Sequence, residues 1–467
     1  MNSTSNSFRL DPTILREYDI RGIVGETLTA DGVRAIGRAF GSVVIRKGGG
    51  TVAVGYDGRL TSPDLEQALV EGLVSTGVTV LQIGLGPSPM LYFATHHLET
   101  DAGMMITGSH NPPEYNGIKM SMSGKPFFGD AIQNLSVIAE AGDFVVGDGQ
   151  ARVCPLAEAY VERLLQEFRG DQALAVAWDP GNGSAGEIVQ MLCKKLPGRH
   201  VLINETIDGT FPAHHPDPTV EENLEQLKQA VADHGCDLGI GFDGDGDRIG
   251  VIDAKGRVLW GDQLLVVLSG PVLEELPGAT IIADVKASQV FFDEIERMGG
   301  KAVMSKTGHS LIKTLMVETN APLAGEMSGH IFFAHRYYGY DDALYSAIRL
   351  LSILSGGERS LAEIRDSLPT MVNTPELRFD CTEDRKFDVI EEVRDRLKAM
   401  EGISVNDIDG VRVSNGDGWW LLRASNTQAV LVGRCEASNE ASLERLVAEL
   451  SKHLKLSGLE PVPGGGH

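Results

Sequence analysis

The chain has 467 residues, enough for three or four domains, and its 42% hydrophobic and 23% charged residues give it material for large cores. Its 65 acidic residues outnumber 41 basic ones, for a net charge of -24, and no basic block or stripe appears, which excludes nucleic acid as an expected partner. If the ligand is an anion, the site must gather positive charge against this acidic background.

In chain order, one local grammar recurs: a short run of Val, Ile and Leu, then a loop of Gly, Asp and Ser, then a helical pattern. Residues 52–55 read as a strand, lead into Tyr56-Asp57-Gly58-Arg59, and are followed by a helix near 63–76. The apolar run 102–106 is a buried strand that ends at Thr107-Gly108-Ser109-His110-Asn111-Pro112. A helical stretch spans 156–168, and the strand 175–178 precedes Asp179-Pro180-Gly181-Asn182-Gly183 and a helix from Ala185. The strand 238–242 opens onto Asp243-Gly244-Asp245-Gly246-Asp247-Arg248, and the strand 280–285 onto Lys286-Ala287-Ser288 with a helix over 289–298. Such alternation predicts α/β layers with largely parallel sheets, whose ligands lie beyond the carboxyl ends of the strands. After Pro369 the grammar changes. Strands at 376–380, 411–413, 419–422 and up to Cys435, with helices near 386–400 and 438–454, predict a smaller α+β unit with a mainly antiparallel sheet. Breaks near Gly147, Gly256 and Pro369 divide the chain into 1–152, 153–255, 256–369 and 370–467.

Five dispersed cysteines (Cys154, Cys193, Cys236, Cys381 and Cys435) form no C-x-x-C pair. That speaks against a disulfide framework or a zinc site and for a reducing, cytoplasmic setting. Neither a basic-then-apolar leader nor an apolar run of membrane-spanning length is visible, so no membrane partner is expected. The sequon Asn2-Ser3-Thr4 reads as chance, and the Gly464-Gly465-Gly466 tail as an end outside the fold.

Two loops carry chemistry. Ser109, on a glycine turn beside His110, can face outward as a nucleophile or a phosphate carrier. Asp243, Asp245 and Asp247 offer three hard oxygen ligands at i, i+2 and i+4, a set suited to Mg²⁺ with a phosphate oxygen as a further ligand. An EF-hand would need glycine at the sixth position and glutamate at the twelfth, where this chain has Arg248 and Ala254. Together the loops suggest a phosphorylated serine facing a metal held by three aspartates. A third loop, Arg423-Ala424-Ser425-Asn426-Thr427, is a compact anion clamp, because a guanidinium pairs bidentately with phosphate.

These three loops and Gly325-Glu326-Met327-Ser328-Gly329-His330 stand in the order and separations of the four signature loops of the α-D-phosphohexomutase superfamily. The chain resembles its bacterial phosphomannomutase/phosphoglucomutase branch from Tyr18-Asp19-Ile20-Arg21-Gly22 to Arg434. The resemblance implies three related mixed α/β domains and a smaller α+β domain around a central cleft, each contributing one signature loop. It implies interconversion of hexose 6-phosphate and hexose 1-phosphate, with mannose and glucose as the sugars, through a phosphoserine and a hexose 1,6-bisphosphate that also acts as activator. By motif position Ser109 is the phosphoserine, and Asp243, Asp245 and Asp247 hold Mg²⁺ together with its phosphate. His110, Lys119, Arg248 and His330 join the catalytic set, with Lys119 and His330 both open as the general base. Tyr18, Arg21, Lys286, Gly308, His309, Glu326 and Ser328 fall at substrate-binding positions, and Arg423, Ser425, Asn426 and Thr427 at the grip for the phosphate that does not react. The partners implied are phosphosugars, with no obligate protein partner. A phosphoglucosamine mutase would share the chemistry, and an acidic metal-binding structural protein would leave the clamp unexplained. A serine hydrolase would need the Gly-x-Ser-x-Gly turn that Ser109 lacks. Gln428 and Ala429 replace the glutamate and proline that often follow in this superfamily.

Overall fold

The computed structural model describes residues 7–426 and 428–460; Thr427, the sequon and the glycine tail lie outside them. Among the described residues the strands form four sheets, one after another along the chain. The first has Ala102–Ile106, Thr51–Tyr56, Thr79–Leu85 and Gln150–Val153 in parallel, with Tyr115–Met122 and Ile20–Ile23 added antiparallel. The second sets Leu238–Phe242, Leu174–Asp179 and Gly198–Leu202 in parallel, and the third does the same with Lys301–Ser305, Thr280–Asp284 and Leu323–Gly325. Ile249–Asp253 and Ile331–Phe333 then return antiparallel. The fourth sheet is antiparallel throughout and carries the helices Glu383–Leu397 and Glu440–Leu456.

The expectation of largely parallel sheets therefore holds for only one side of each of the first three sheets. The reason is connection length. A parallel return needs a crossover of roughly a dozen residues or more. The signature loops 107–114, 243–248 and 326–330 are shorter than that, so each leads straight into an antiparallel partner. Each loop thus leaves the carboxyl end of an inner parallel strand, and the three occupy equivalent places in three similar sheets.

The strands that lead into the signature loops, Ala102–Ile106, Leu238–Phe242 and Leu323–Gly325, are buried along their whole length. That is why they read as continuous apolar runs without alternation. One apolar core runs from Ala53 through Tyr160, Trp178 and Leu264 to Leu361, so the first three domains share it. The last domain has its own core around Phe379, Trp420, Leu431 and Leu450. The helix expected over 386–400 begins earlier, at Glu383, because Glu383 and Asp384 in its first turn favour the helix N-terminus. No helix of the described residues is long and apolar enough to cross a membrane, and all five cysteines are free.

Candidate active site

Ser109 sits at the break between Ala102–Ile106 and Tyr115–Met122 with φ +49, a left-handed conformation that non-glycine residues seldom adopt. Its backbone N–H donates to Thr107 Oγ1 at 2.8 Å, which holds the turn. Its hydroxyl does not face open solvent. Oγ donates to Asp243 Oδ2 at 2.9 Å and lies 3.2 Å from His110 Nδ1. Burial and the nearby Arg248 push His110 down to about 3, so its imidazole is neutral.

Asp243, Asp245 and Asp247 are all buried, and an oxygen of each lies within 4.8 Å of the others. Lys119 Nζ inserts among them, 2.7 Å from Asp245 Oδ2 and in an ion pair with Asp247 Oδ2. One ammonium cannot balance three carboxylates. Burial, Asp247 and Asp245 together hold Asp243 well above the usual carboxylate range, while Asp247 is held well below it by Lys119 and His330 against the cost of burial. Asp245 Oδ1 is buried without a hydrogen-bond partner, and Asp247 Oδ1 has only the His330 imidazole, 3.3 Å away. A nest of buried hard oxygens that leaves an acceptor without a partner fits a divalent cation.

The third-domain loop is stitched to this nest. Arg248 and His330 form an antiparallel bridge, and Ile249 N donates to Gly329 O at 3.0 Å. His330 Nε2 lies 3.3 Å from Asp247 Oδ1 and its Nδ1 3.0 Å from Glu326 Oε2, so one imidazole links the metal loop to the sugar loop. Burial opposes a charge on His330, but Asp247 and Glu326 overcome it and lift the group to about 9. Burial likewise opposes the charge on Glu326, and His330 with the Gly308 N–H at 2.8 Å brings it down to about 2. Ser328 Oγ is 3.3 Å from His330 Nδ1. The ring of His309 packs between Tyr18 and His330, with centroids 5.7 and 5.8 Å away, and burial with Lys313 keeps it neutral.

The last domain reaches the same cleft through few side chains. Arg423 Nε donates to Asp409 Oδ2 at 2.9 Å, and that oxygen also accepts Thr307 N at 3.0 Å from the third domain. Asn426 Nδ2 donates to Tyr18 Oη at 2.7 Å, which joins the last domain to the first. Lys386 Nζ fixes the turn by donating to Ser425 O at 2.7 Å and Gln428 O at 3.2 Å. Lys286 Nζ lies 3.4 Å from Glu376 Oε2. Arg21 binds the carbonyl of Gly108 and the carboxylate of Asp19, so it braces the serine turn.

Sequence reasoning missed several residues here. Ser88 and Thr107 donate to Asp245, Asp217 lies 3.9 Å from Arg248, and Asp409 holds Arg423. Their contacts span up to 157 residues, so no local pattern marks them.

Patterns described as phosphoglucomutase/phosphomannomutase alpha/beta/alpha domains I, II and III match residues 12–145, 158–256 and 260–372, and the C-terminal domain of the same family matches 376–453. A phosphomannomutase/phosphoglucomutase of Pseudomonas aeruginosa is 43% identical over 99% of this chain and 100% of its own length. A phosphoglucomutase of Neisseria gonorrhoeae is 42% identical over 94% of this chain and 98% of its own. The crystal structure of a phosphoglucomutase/phosphomannomutase family protein from Burkholderia thailandensis superposes with a TM-score of 0.92 at 41% identity, covering 97% of this chain and 99% of that one. With four domains in order and four loops meeting in one cleft, the chain belongs to the phosphoglucomutase/phosphomannomutase family, and is an isomerase of that family.

Proposed function

We propose that this chain interconverts the 6- and 1-phosphates of mannose and glucose through phosphorylated Ser109. The observation that carries the reading is the contact of Ser109 Oγ with Asp243 at 2.9 Å, which sets the carrier hydroxyl against a three-carboxylate nest. In the first half-reaction the bond from phosphorus to Ser109 Oγ breaks as a bond forms to the free sugar hydroxyl, whose proton passes to a base. The hexose 1,6-bisphosphate turns over in the cleft, and Ser109 Oγ takes the other phosphoryl group. Trace bisphosphate would prime an unphosphorylated enzyme by the same transfer.

Asp243, Asp245 and Asp247 would hold Mg²⁺. When bound, it supplies charge neutralisation at the phosphoryl oxygens. Lys119 and Arg248 add fixed positive charge around the same atoms, where electrostatic preorganisation does most of the catalysis. Lys119 and His330 both stay candidates for the base. Against the cost of burial, Lys119 is held protonated in the resting protein by Asp245 and Asp247, and His330 by Asp247 and Glu326, so each must give up a proton before it can act as the base. Glu326 and Ser328 would hold sugar hydroxyls, with Tyr18, Lys286, Gly308 and His309 lining the same space. Arg423, Ser425 and Asn426, with Thr427 beside them, would grip the phosphate that does not react.

A coupled assay with mannose 1-phosphate, glucose 1-phosphate and glucosamine 1-phosphate tests the reading. Turnover of the first two with little of the third is expected. Preference for the amino sugar would move the assignment to a glucosamine phosphate mutase.

A further inference from the structure

The loop Asp57-Gly58-Arg59 follows a strand of the first sheet, and nothing in its sequence marks it as more than a turn. In the fold it is the support of the serine turn. The Arg59 side chain is fully buried and wrapped by main-chain carbonyls of residues 109–115. Nη2 donates to Ser109 O at 2.7 Å and to Asn111 O at 2.5 Å, and Nη1 donates to Pro112 O at 2.6 Å and to Tyr115 O at 3.0 Å. Asp57 holds the same turn through Gly108. Its Oδ2 accepts Gly108 N at 2.9 Å and lies 3.3 Å from Arg59 Nε, and its Oδ1 accepts Arg59 N at 3.1 Å and Ser62 Oγ. The turn is closed tightly on this pair. A Cβ on Gly108 would stand 2.2 Å from Arg59 Nε and 2.3 Å from its Cζ, so only glycine lets the backbone approach.

A second domain covers the arrangement. The ring of Phe211 lies over the guanidinium with 5.1 Å between Cζ and the centroid. Phe211 has φ +48, a conformation costly for a bulky residue and retained only where the surroundings over-determine it.

We propose that Arg59, paired with Asp57 and covered by Phe211, is a positioning residue for phosphoryl transfer: it sets where Ser109 Oγ stands relative to the aspartate loop. This rests on the reading of Ser109 as the phosphate carrier. Arg59 is argued to act through the turn's carbonyls, not on the sugar. The planar fork is what the job requires, since it sends several donors in fixed directions, which a lysine ammonium does not. Reaction geometry is sensitive at this scale. A displacement of about 1 Å costs on the order of 10²-fold in rate.

The test uses the full chain with Ser109 loaded by glucose 1,6-bisphosphate, and follows a single turnover of glucose 1-phosphate by rapid quench. In Arg59→Ala the transfer rate should fall on the order of 10²-fold, with KM for glucose 1-phosphate nearly unchanged. Added guanidinium chloride should restore much of the rate, and sodium chloride at equal ionic strength should not. Gly108→Ala keeps the arginine but pushes the fork aside. It should slow transfer similarly and should not respond to guanidinium. The proposal is overturned if folded Arg59→Ala transfers at the normal rate. It is also overturned if its loss lies in KM, or if guanidinium has no effect. If Arg59→Ala does not fold, normal transfer in Gly108→Ala overturns it. Failure of the wild-type chain to take phosphate on Ser109 would be seen before any variant is made, and would remove the carrier reading itself.

Discussion

The two sides of the cleft are built differently. On one side, the loops of the first three domains rest on a shared apolar core and are bound to one another by buried polar contacts: Ser109 to Asp243, Lys119 to Asp245, and the bridge between Arg248 and His330. On the other side, the last domain has a core of its own. It meets the third through a small apolar cluster of Val285, Trp419 and Leu421 and through side-chain bonds to main-chain carbonyls, such as Arg412 to Val285 and Arg434 to Lys286. Toward the first domain it offers Asn426 to Tyr18. A shared apolar core resists relative motion, whereas a polar interface can be exchanged for water or ligand. The difference teaches a division of labour. On the function proposed above, the side that performs the transfer would be fixed before the substrate arrives, and the side that grips the distant phosphate would let go while the bisphosphate turns, as elements that gate catalysis do.

Variants of the two sides should therefore fail in different ways. The largest effect is expected for Ser109→Ala, which removes the proposed carrier. Activity should drop by at least about 10³-fold, the scale on which loss of a covalent nucleophile acts, while KM-type binding of sugar phosphate measured by calorimetry persists. Full turnover with bisphosphate present would contradict this. Next come Asp243→Asn, Asp245→Asn and Asp247→Asn, each expected to cost roughly 10²–10³-fold in kcat and to be partly rescued at higher Mg²⁺. Metal dependence unchanged in all three would remove the cation assignment. On the side of the last domain, Arg423→Ala would remove contacts common to ground and transition states. It should raise KM about 10–100-fold, as for loss of a charge-assisted hydrogen bond, with kcat nearly intact. A normal KM with a slowed chemical step would erase the contrast between the two sides. Glu326→Gln should slow glucose and mannose phosphates by similar factors, about 10-fold each. If Glu326 instead discriminated at the 2-position, one sugar would be spared.

The smallest effect concerns stability at the seam of the second and third domains. Asp342 caps the helix Ala343–Gly356 and accepts Tyr160 Oη at 2.8 Å from across that seam. Burial raises it to about 7, although the Tyr345 N–H and the Tyr337 and Tyr160 hydroxyls favour its charged form. Between the unfolded value of about 4 and this folded value, the native state keeps a proton that the unfolded chain has lost. Stability from this group is therefore full below pH ~4 and declines as pH rises toward 7. Asp342→Asn should flatten that decline in thermal melts, and an identical slope in both proteins would show that the seam does not titrate there.

Much of this was legible in the sequence for a physical reason. Strands buried on both faces leave continuous apolar runs, and loops at their carboxyl ends must carry turn residues, so Ala102–Ile106 and Leu238–Phe242 could be read with the loops that follow them. The antiparallel returns were not legible, because a run such as Ile249–Asp253 looks the same whichever way its neighbour points. Nor was the site's framework. Arg59, Ser88, Asp217 and Asp409 act on partners far along the chain, and contact at a distance imposes no period on a sequence. The one available signal was positional: Asp57 and Arg59 follow a strand at the same end of the sheet as Ser109. The shared core of three domains also left no mark, since apolar residues facing a neighbouring domain look like those facing their own sheet.

The most direct test of the account supplies the unphosphorylated protein with glucose 1,6-bisphosphate carrying a radiolabel in one phosphate, quenches it during turnover, and maps the labelled peptide. The account predicts label on the peptide containing Ser109, and its passage from there into added mannose 1-phosphate as well as glucose 1-phosphate. Label that reaches the sugars while Ser109 stays unlabelled, or a Ser109→Ala protein that passes label equally well, would contradict it.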